Sequence, residues 1–182
     1  MAITIDLIIS VEDLRYYCAI NDSYDSEFLA PFIVQATDTI SENVLGTALT
    51  EKLITDYNAG TLAGVYETLY DSSNASVKKM VCWQTFVLAL PRMALYIANG
   101  GITRLSGANG ESATNQDISM LIRNAEGTLL RYENQVKSYL SQNSSDFTEL
   151  QDNTPSYLRA DLKPNDSSQG LSSTPNRYFS DY

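Results

Sequence analysis

Paired carboxylates and two thiols are the residues of this sequence that could do chemistry. Asp22 and Asp25 sit three apart on a polar link, and Asp38 and Glu42 sit four apart within a helical pattern. Two carboxylates flanking a bond are the machinery of glycoside hydrolysis. Acids four apart also arise on the wet face of any acidic helix, and that is the reading taken here. Histidine is absent, which removes the commonest general base, proton shuttle and metal ligand, and with it a serine triad of the usual kind. Cys18 and Cys82 lie far apart and have no CxxC partner. They read as small buried apolar residues in a reducing compartment, in preference to a disulfide. No carboxylate run has calcium-loop spacing, and no set of Cys and carboxylates stands together as zinc requires. The glycines of 99–116 lack the GK[ST] ending of a phosphate loop and follow a helical pattern, not a strand. The sequence therefore predicts no catalytic residue, no cofactor and no metal site, and points to binding or assembly.

Composition narrows the partners. The 182 residues carry 22 acids against 12 bases, a formal net charge of −10. That argues against wrapping nucleic acid, which relies on Lys and Arg neutralising phosphates, and against an anionic membrane surface. Hydrophobic residues make up 43% of the chain, enough for a core in roughly the first 150 residues and most simply for one domain plus extensions. The start, MAITIDLIIS, has no basic region and no long apolar run. It predicts no signal peptide and a protein made and kept in a cytoplasm. Tyrosine is abundant, 12 in all, and suits interfaces where one end of the ring is apolar and the other wet.

The elements are organised by Ser76–Asn99, which is apolar nearly all the way round. Such a helix is a core helix or a membrane span. Arg92 near its middle, with Gln84 and Thr85 before it, and the lack of an unbroken run of about 20 apolar residues favour the core. At 1.5 Å per residue it would be ~36 Å long, and Pro91 is expected to kink it. Around it the pattern predicts a mostly α fold, a helical bundle. Ala2–Ile9 is a short strand or extended arm. Ser10 caps a helix from Val11 to about Cys18, with Glu12 and Asp13 in its first turn. A second helix runs from Ser23 or Asp25 to Leu45, its stripe Phe28, Leu29, Phe32, Ile33, Ala36, Ile40 and Val44 stepping by three and four. Gly46 stops it. Thr47 and Thr50 cap a short helix Leu49–Tyr57, and Thr61–Tyr70 is a loose turn or helix. Residues 99–116 are either a loop or a short β-hairpin about Ile102–Leu105, with Asn109-Gly110 as a turn signal. The last long helix, Asp117–Gln142, holds an a/d seam: Ile118, Ile122, Ala125, Leu129, Tyr132, Val136 and Tyr139. The seam pairs with a helix of the same chain in preference to a second chain. Gly127 costs about 1 kcal/mol relative to Ala and allows another backbone to approach.

Composition changes from Asn143, and the domain division is read as 1–146 a helical domain and 147–182 an extended C-terminal arm. The arm carries Pro155, Pro164 and Pro175 and no helical period, so alone it cannot bury enough surface to fold. Its anchors come at intervals: Phe147, Leu150, Tyr157, Leu158, Leu162, Leu171, Tyr178, Phe179 and Tyr182. It is either a strap that lies along a partner, each ring filling a pocket, or a disordered tail that contacts nothing.

Two runs carry a resemblance. Asp25-Ser-Glu-Phe28-Leu-Ala-Pro31-Phe32-Ile33, continuing to Leu45-Gly46-Thr47-Ala48-Leu49, resembles the opening helices of phage head–tail connector (adaptor) proteins. Asn99-Gly100-Gly101-Ile102, then Asp117 and Leu121, Tyr132-Glu133, Tyr139-Leu140 and Asn143-Ser144-Ser145-Asp146-Phe147 are similar to a family of small proteins of Bacteroidetes phages and prophages, including the crAss-like phages. The similarity covers about residues 10–150 and lies in order and spacing. It implies a helical neck-ring subunit of the virion, dodecameric by that resemblance, assembled in the host cytoplasm. Such a ring docks beneath the portal, extends the DNA channel and offers a face to the next neck or tail protein, without binding DNA specifically or entering a membrane. Loops and terminal arms of such proteins reach neighbours. The resemblance therefore marks Ile102 and Leu105 in 99–116, and Phe147, Tyr157, Leu158, Leu171, Tyr178, Phe179 and Tyr182 in the arm, as candidate interface residues. A negative channel wall would let DNA slide, and Asp38 and Glu42 are candidates for it, although a plain solvated face explains either residue more simply. The alternative from another class is an acidic helical regulator or decoy that binds a basic protein. A hydrolase is disfavoured.

Overall fold

The computed structural model describes residues 7–20, 24–96, 103–104, 111–112 and 115–152. The fold is mostly α. In chain order the helices are α1 (Val11–Cys18), α2 (Ser26–Ile40), α3 (Thr47–Ala59), α4 (Gly64–Tyr70), α5 (Val77–Tyr96), α6 (Asn115–Gln142) and α7 (Glu149–Asp152). A two-residue antiparallel pair, β1 (Thr103–Arg104) and β2 (Glu111–Ser112), precedes α6, with Thr103 opposite Ser112 and Arg104 opposite Glu111. Residues 105–110 lie outside the described set.

Local chemistry sets the helix ends. Ser10 Oγ accepts the Asp13 N–H at 3.0 Å, and the Asp13 carboxylate accepts the Ser10 N–H at 3.2 Å, a reciprocal cap that satisfies two backbone donors. α1 stops at Ala19, which takes a left-handed conformation (φ 50°). α2 continues into a π-turn over Ser41–Leu45, closed by the Gly46 N–H donating to the Ser41 carbonyl at 2.9 Å. Gly46 itself has φ 80°. α3 starts earlier than the threonines predict. Gly46 is its N-cap, and Thr50 Oγ1 donates to the Gly46 carbonyl at 2.9 Å, so Thr50 lies inside the first turns and does not cap them. Gly60 (φ 65°) ends α3.

Packing follows the apolar stripes. Leu29, Ile33, Ala36, Ile40 and Val44 are buried, with Phe28 and Phe32 packed beside them. α5 packs against α1, α2, α4 and α6. Val77, Met80, Val81, Cys82, Phe86, Ala89, Leu90 and Met93 of α5 are buried. Thr85 is also buried, and its hydroxyl is satisfied by donating to the Val81 carbonyl at 2.7 Å. Pro91 and Arg92 are exposed. The α6 seam turns inward onto this core: Ala125 and Val136 are buried, and Ile122, Leu129, Tyr132 and Tyr139 pack against it. None of the helices among the described residues is long and apolar enough to cross a membrane.

Candidate functional site

Three regions of the described surface carry sequence-predicted candidates or unpartnered apolar side chains: the outside of α6, the outside of α2, and the end of the helical body.

The 28-residue α6 packs on α5 with one side and leaves the other to solvent. Opposite the buried seam, every fourth or third residue points to solvent: Met120, Arg123, Gly127, Leu130, Arg131 and Asn134 are exposed. Met120 and Leu130 are among the few large apolar side chains left in water, 59% and 55% exposed. The Arg131 guanidinium lies 4.8 Å from the ring centre of Tyr132. Gly127 has nothing within 4 Å of where a Cβ would stand. The close approach expected at this glycine is therefore not made by any described part of the same chain. A groove of about 850 Å³ runs from Gly127, Leu130 and Arg131 past Asn134 to the Ser73–Asn74 turn. Residue-by-residue reading missed this face, although its spacing of three and four was present in the sequence beside the stronger seam.

α2 presents the opposite character. Glu27, Pro31, Gln35, Asp38 and Glu42 are exposed along its outer side and on into the π-turn. Asp38 and Glu42 thus share one wet face. No Lys or Arg occurs between Arg15 and Lys52, so the charged side chains that α2 itself brings to this face are all acidic.

The helical body ends later than residue 146. Phe147 is fully buried, its ring edge-on to Tyr66 at 5.5 Å and to Tyr139 at 6.2 Å between centroids. Leu150 is buried as well, and α7 packs on α3. The Tyr66 hydroxyl reaches the Glu149 carboxylate at 2.9 and 3.1 Å, with Lys52 Nζ 4.7 Å above the Tyr66 ring. Phe147 is therefore a core residue and not a free anchor of an arm. It was misplaced because a polar run, Asn143–Asp146, precedes it, and only the chain's return onto α3 and α4 buries it. The other interface candidates, Ile102, Leu105, Tyr157, Leu158, Leu171, Tyr178, Phe179 and Tyr182, lie outside the described residues.

The charged and titratable clusters inside the body are tied up in structure. Lys78 Nζ lies 2.7 Å from Asp13 and 3.7 Å from Asp71. Burial pushes the Asp13 carboxyl up, but hydrogen bonds from Lys78 and Ser10 outweigh it and hold the carboxyl below its ordinary range. The Cys18 thiol donates to the Cys82 carbonyl at 3.4 Å. Both cysteines are free and buried. Burial pushes the Cys18 thiol up to about 12 and Cys82 higher still, the opposite of an activated nucleophile. Tyr70 is buried and donates to the Ile8 carbonyl at 2.8 Å, and burial raises its phenol strongly. Among the described residues no group of three or more Cys, Asp or Glu side chains is placed to hold a metal ion. The two outward faces differ in character: α6 exposes Arg123 and Arg131 with Met120 and Leu130, and Glu126 at the edge, while α2 exposes Glu27, Asp38 and Glu42.

A family model, described as a family of unknown function (DUF6712), matches residues 41–157, more than half of the chain. No curated protein and no solved structure shows significant similarity to it.

Proposed function

We propose, for a chain that belongs to the DUF6712 family of unknown function, a structural role in a phage virion: a subunit of the head–tail connector ring. In this reading the body is a helical bundle organised around α5, residues 99–116 form a hairpin excursion, and the segment after Asp152 is an arm that reaches a neighbour. The ring docks on the portal, continues the DNA channel and passes the joint to the next neck or tail component. Assembly takes place in the host cytoplasm and the protein ends in the virion neck. The observation that carries the reading is the pair of outward faces on α6 and α2, one basic and apolar, the other acidic. A subunit that joins its neighbours head to tail in a ring needs two different, complementary surfaces. The order and spacing of residues 25–49 and 99–147, which resemble connector proteins, supply the biological setting. A net charge of −10 suits a channel that DNA must slide through without sticking.

The test is the solution mass of the purified protein, alone and with its portal, by light scattering and negative-stain imaging. Rings, alone or on the portal, are the expected result. The same net charge supports a second reading, an acidic decoy for a basic protein. A small oligomer that ignores the portal and captures a basic host protein in a salt-sensitive way would replace the connector reading with that one.

A further inference from the structure

Two faces of this molecule complement each other and cannot meet within one copy without unpacking the core. On the outside of α6, Arg123, Gly127 and Arg131 follow one another at successive turns, flanked by Met120 and Leu130, with the exposed carboxylate of Glu126 at the edge beside Leu130. The three positions are four residues apart, which places them along one ridge of the helix. Gly127 leaves a notch with nothing within 4 Å of a Cβ position. On the outside of α2 and its π-turn, Asp38 and Glu42 are also four apart, with Gln35 beside them and no cation on the element. Both ridges run along the four-residue rows whose interdigitation is the commonest helix packing in globular proteins.

We propose that these faces bind each other between copies of this chain, the α2 face of one copy seating on the α6 face of the next, with the partner helix lying over Gly127 and its carboxylates between Arg123 and Arg131. The contact joins two different patches, so it propagates head to tail and closes only if the rotation allows. It deepens the ring reading and rests on that reading for closure, while the contact itself rests on charge and shape. It also assigns Asp38 and Glu42 to a subunit boundary and not to a channel wall. The C-terminal segment is the weaker occupant. Residues 153–182 carry Arg159, Lys163 and Arg177 against Asp161, Asp166 and Asp181, a balance that offers no charge complement to two arginines. Exposed ion pairs add little net energy, so the charges set orientation and encounter rate. The apolar rim, Met120 and Leu130, loses water when the notch is filled.

The experiment is a charge swap read by light scattering on the full chain, with circular dichroism confirming that each variant is folded. Arg123→Glu/Arg131→Glu and Asp38→Lys/Glu42→Lys should each lose self-association by at least tenfold. The four-fold swap, and an equal mixture of the two double variants, should regain it. Assembly of the wild type should weaken as salt is raised. A folded arginine variant that assembles like the wild type overturns this contact and leaves the ring reading standing. A folded four-fold swap that does not recover overturns it too. A wild type that stays monomeric at every concentration also overturns the contact, and the connector reading is then judged separately by docking on the isolated portal.

Discussion

Tyr66 and Glu149 stand 83 residues apart in sequence and share a hydrogen bond, the phenol donating between the two carboxylate oxygens at 3.1 and 2.9 Å. The bond ties α7 to α4 across the ring of Phe147, which Tyr66 meets edge-on. The polar run after Gln142 is thus part of the folded body, and the segment beyond Asp152 begins from an anchored point.

Truncations should separate body from arm. Removing residues 155–182 is expected to leave the helical circular dichroism intact and to weaken docking on the portal or a neighbour. Removing everything from Phe147 onward takes away a fully buried ring and Leu150. Phe147→Ala alone should cost about 3–5 kcal/mol, the usual range for a buried aromatic, measured by urea unfolding. A Phe147→Ala chain as stable as the wild type would place the ring outside the core.

Acid should unfold the protein partly through Asp13. Its carboxyl is held below the ordinary range by Lys78 and Ser10 against the opposing effect of burial. The unfolded chain therefore binds a proton at higher pH than the folded one. The stability this gives is complete above the ordinary Asp pKa, near 4, and is lost as pH falls through the lower folded value. Asp13→Asn should lower stability at pH 7 by about 1–2 kcal/mol, through the lost cap and ion pair. It should also flatten the fall in stability below about pH 4. Equal acid slopes for variant and wild type would show that Asp13 does not contribute.

The readable part of this fold was the part set by local chemistry and strong periods. Ser10 and Asp13 declared the start of α1, the stripe from Phe28 to Val44 declared α2, and the seam from Ile118 to Tyr139 declared both α6 and its inward face. Two things escaped. Thr50 looks like a cap in sequence, but Gly46 already starts α3, and propensity cannot choose between neighbouring starts. Phe147 looked like a tail anchor because its burial depends on Tyr66 and Tyr139, whose placement is tertiary. The outer face of α6 was legible only as a fainter repetition of the seam. It became a candidate site once α5 was seen to cover the other side and leave Gly127 open.

The thiols should be inert in the native state. Cys18 and Cys82 are buried and both thiols are shifted away from the thiolate, the species that attacks. A thiol-exchange reagent at pH 8 is expected to titrate two groups only after unfolding in denaturant. A rapidly reacting thiol in the folded protein would contradict the packing of α1 on α5.

Gly127→Ala makes opposite demands on the monomer and on the proposed contact. A glycine inside a helix costs about 0.5–1 kcal/mol relative to alanine, and nothing lies within 4 Å of the new methyl group. The isolated subunit should therefore gain about that much stability, seen as a higher urea midpoint at a concentration where it is monomeric. The same methyl group fills the notch where the neighbour's α2 is proposed to lie. Self-association should then weaken, because the helices cannot come as close. Greater monomer stability with unchanged assembly would confirm the helix as described and place the subunit contact elsewhere on the surface. Greater stability with weaker assembly would be hard to explain unless another copy lies over Gly127.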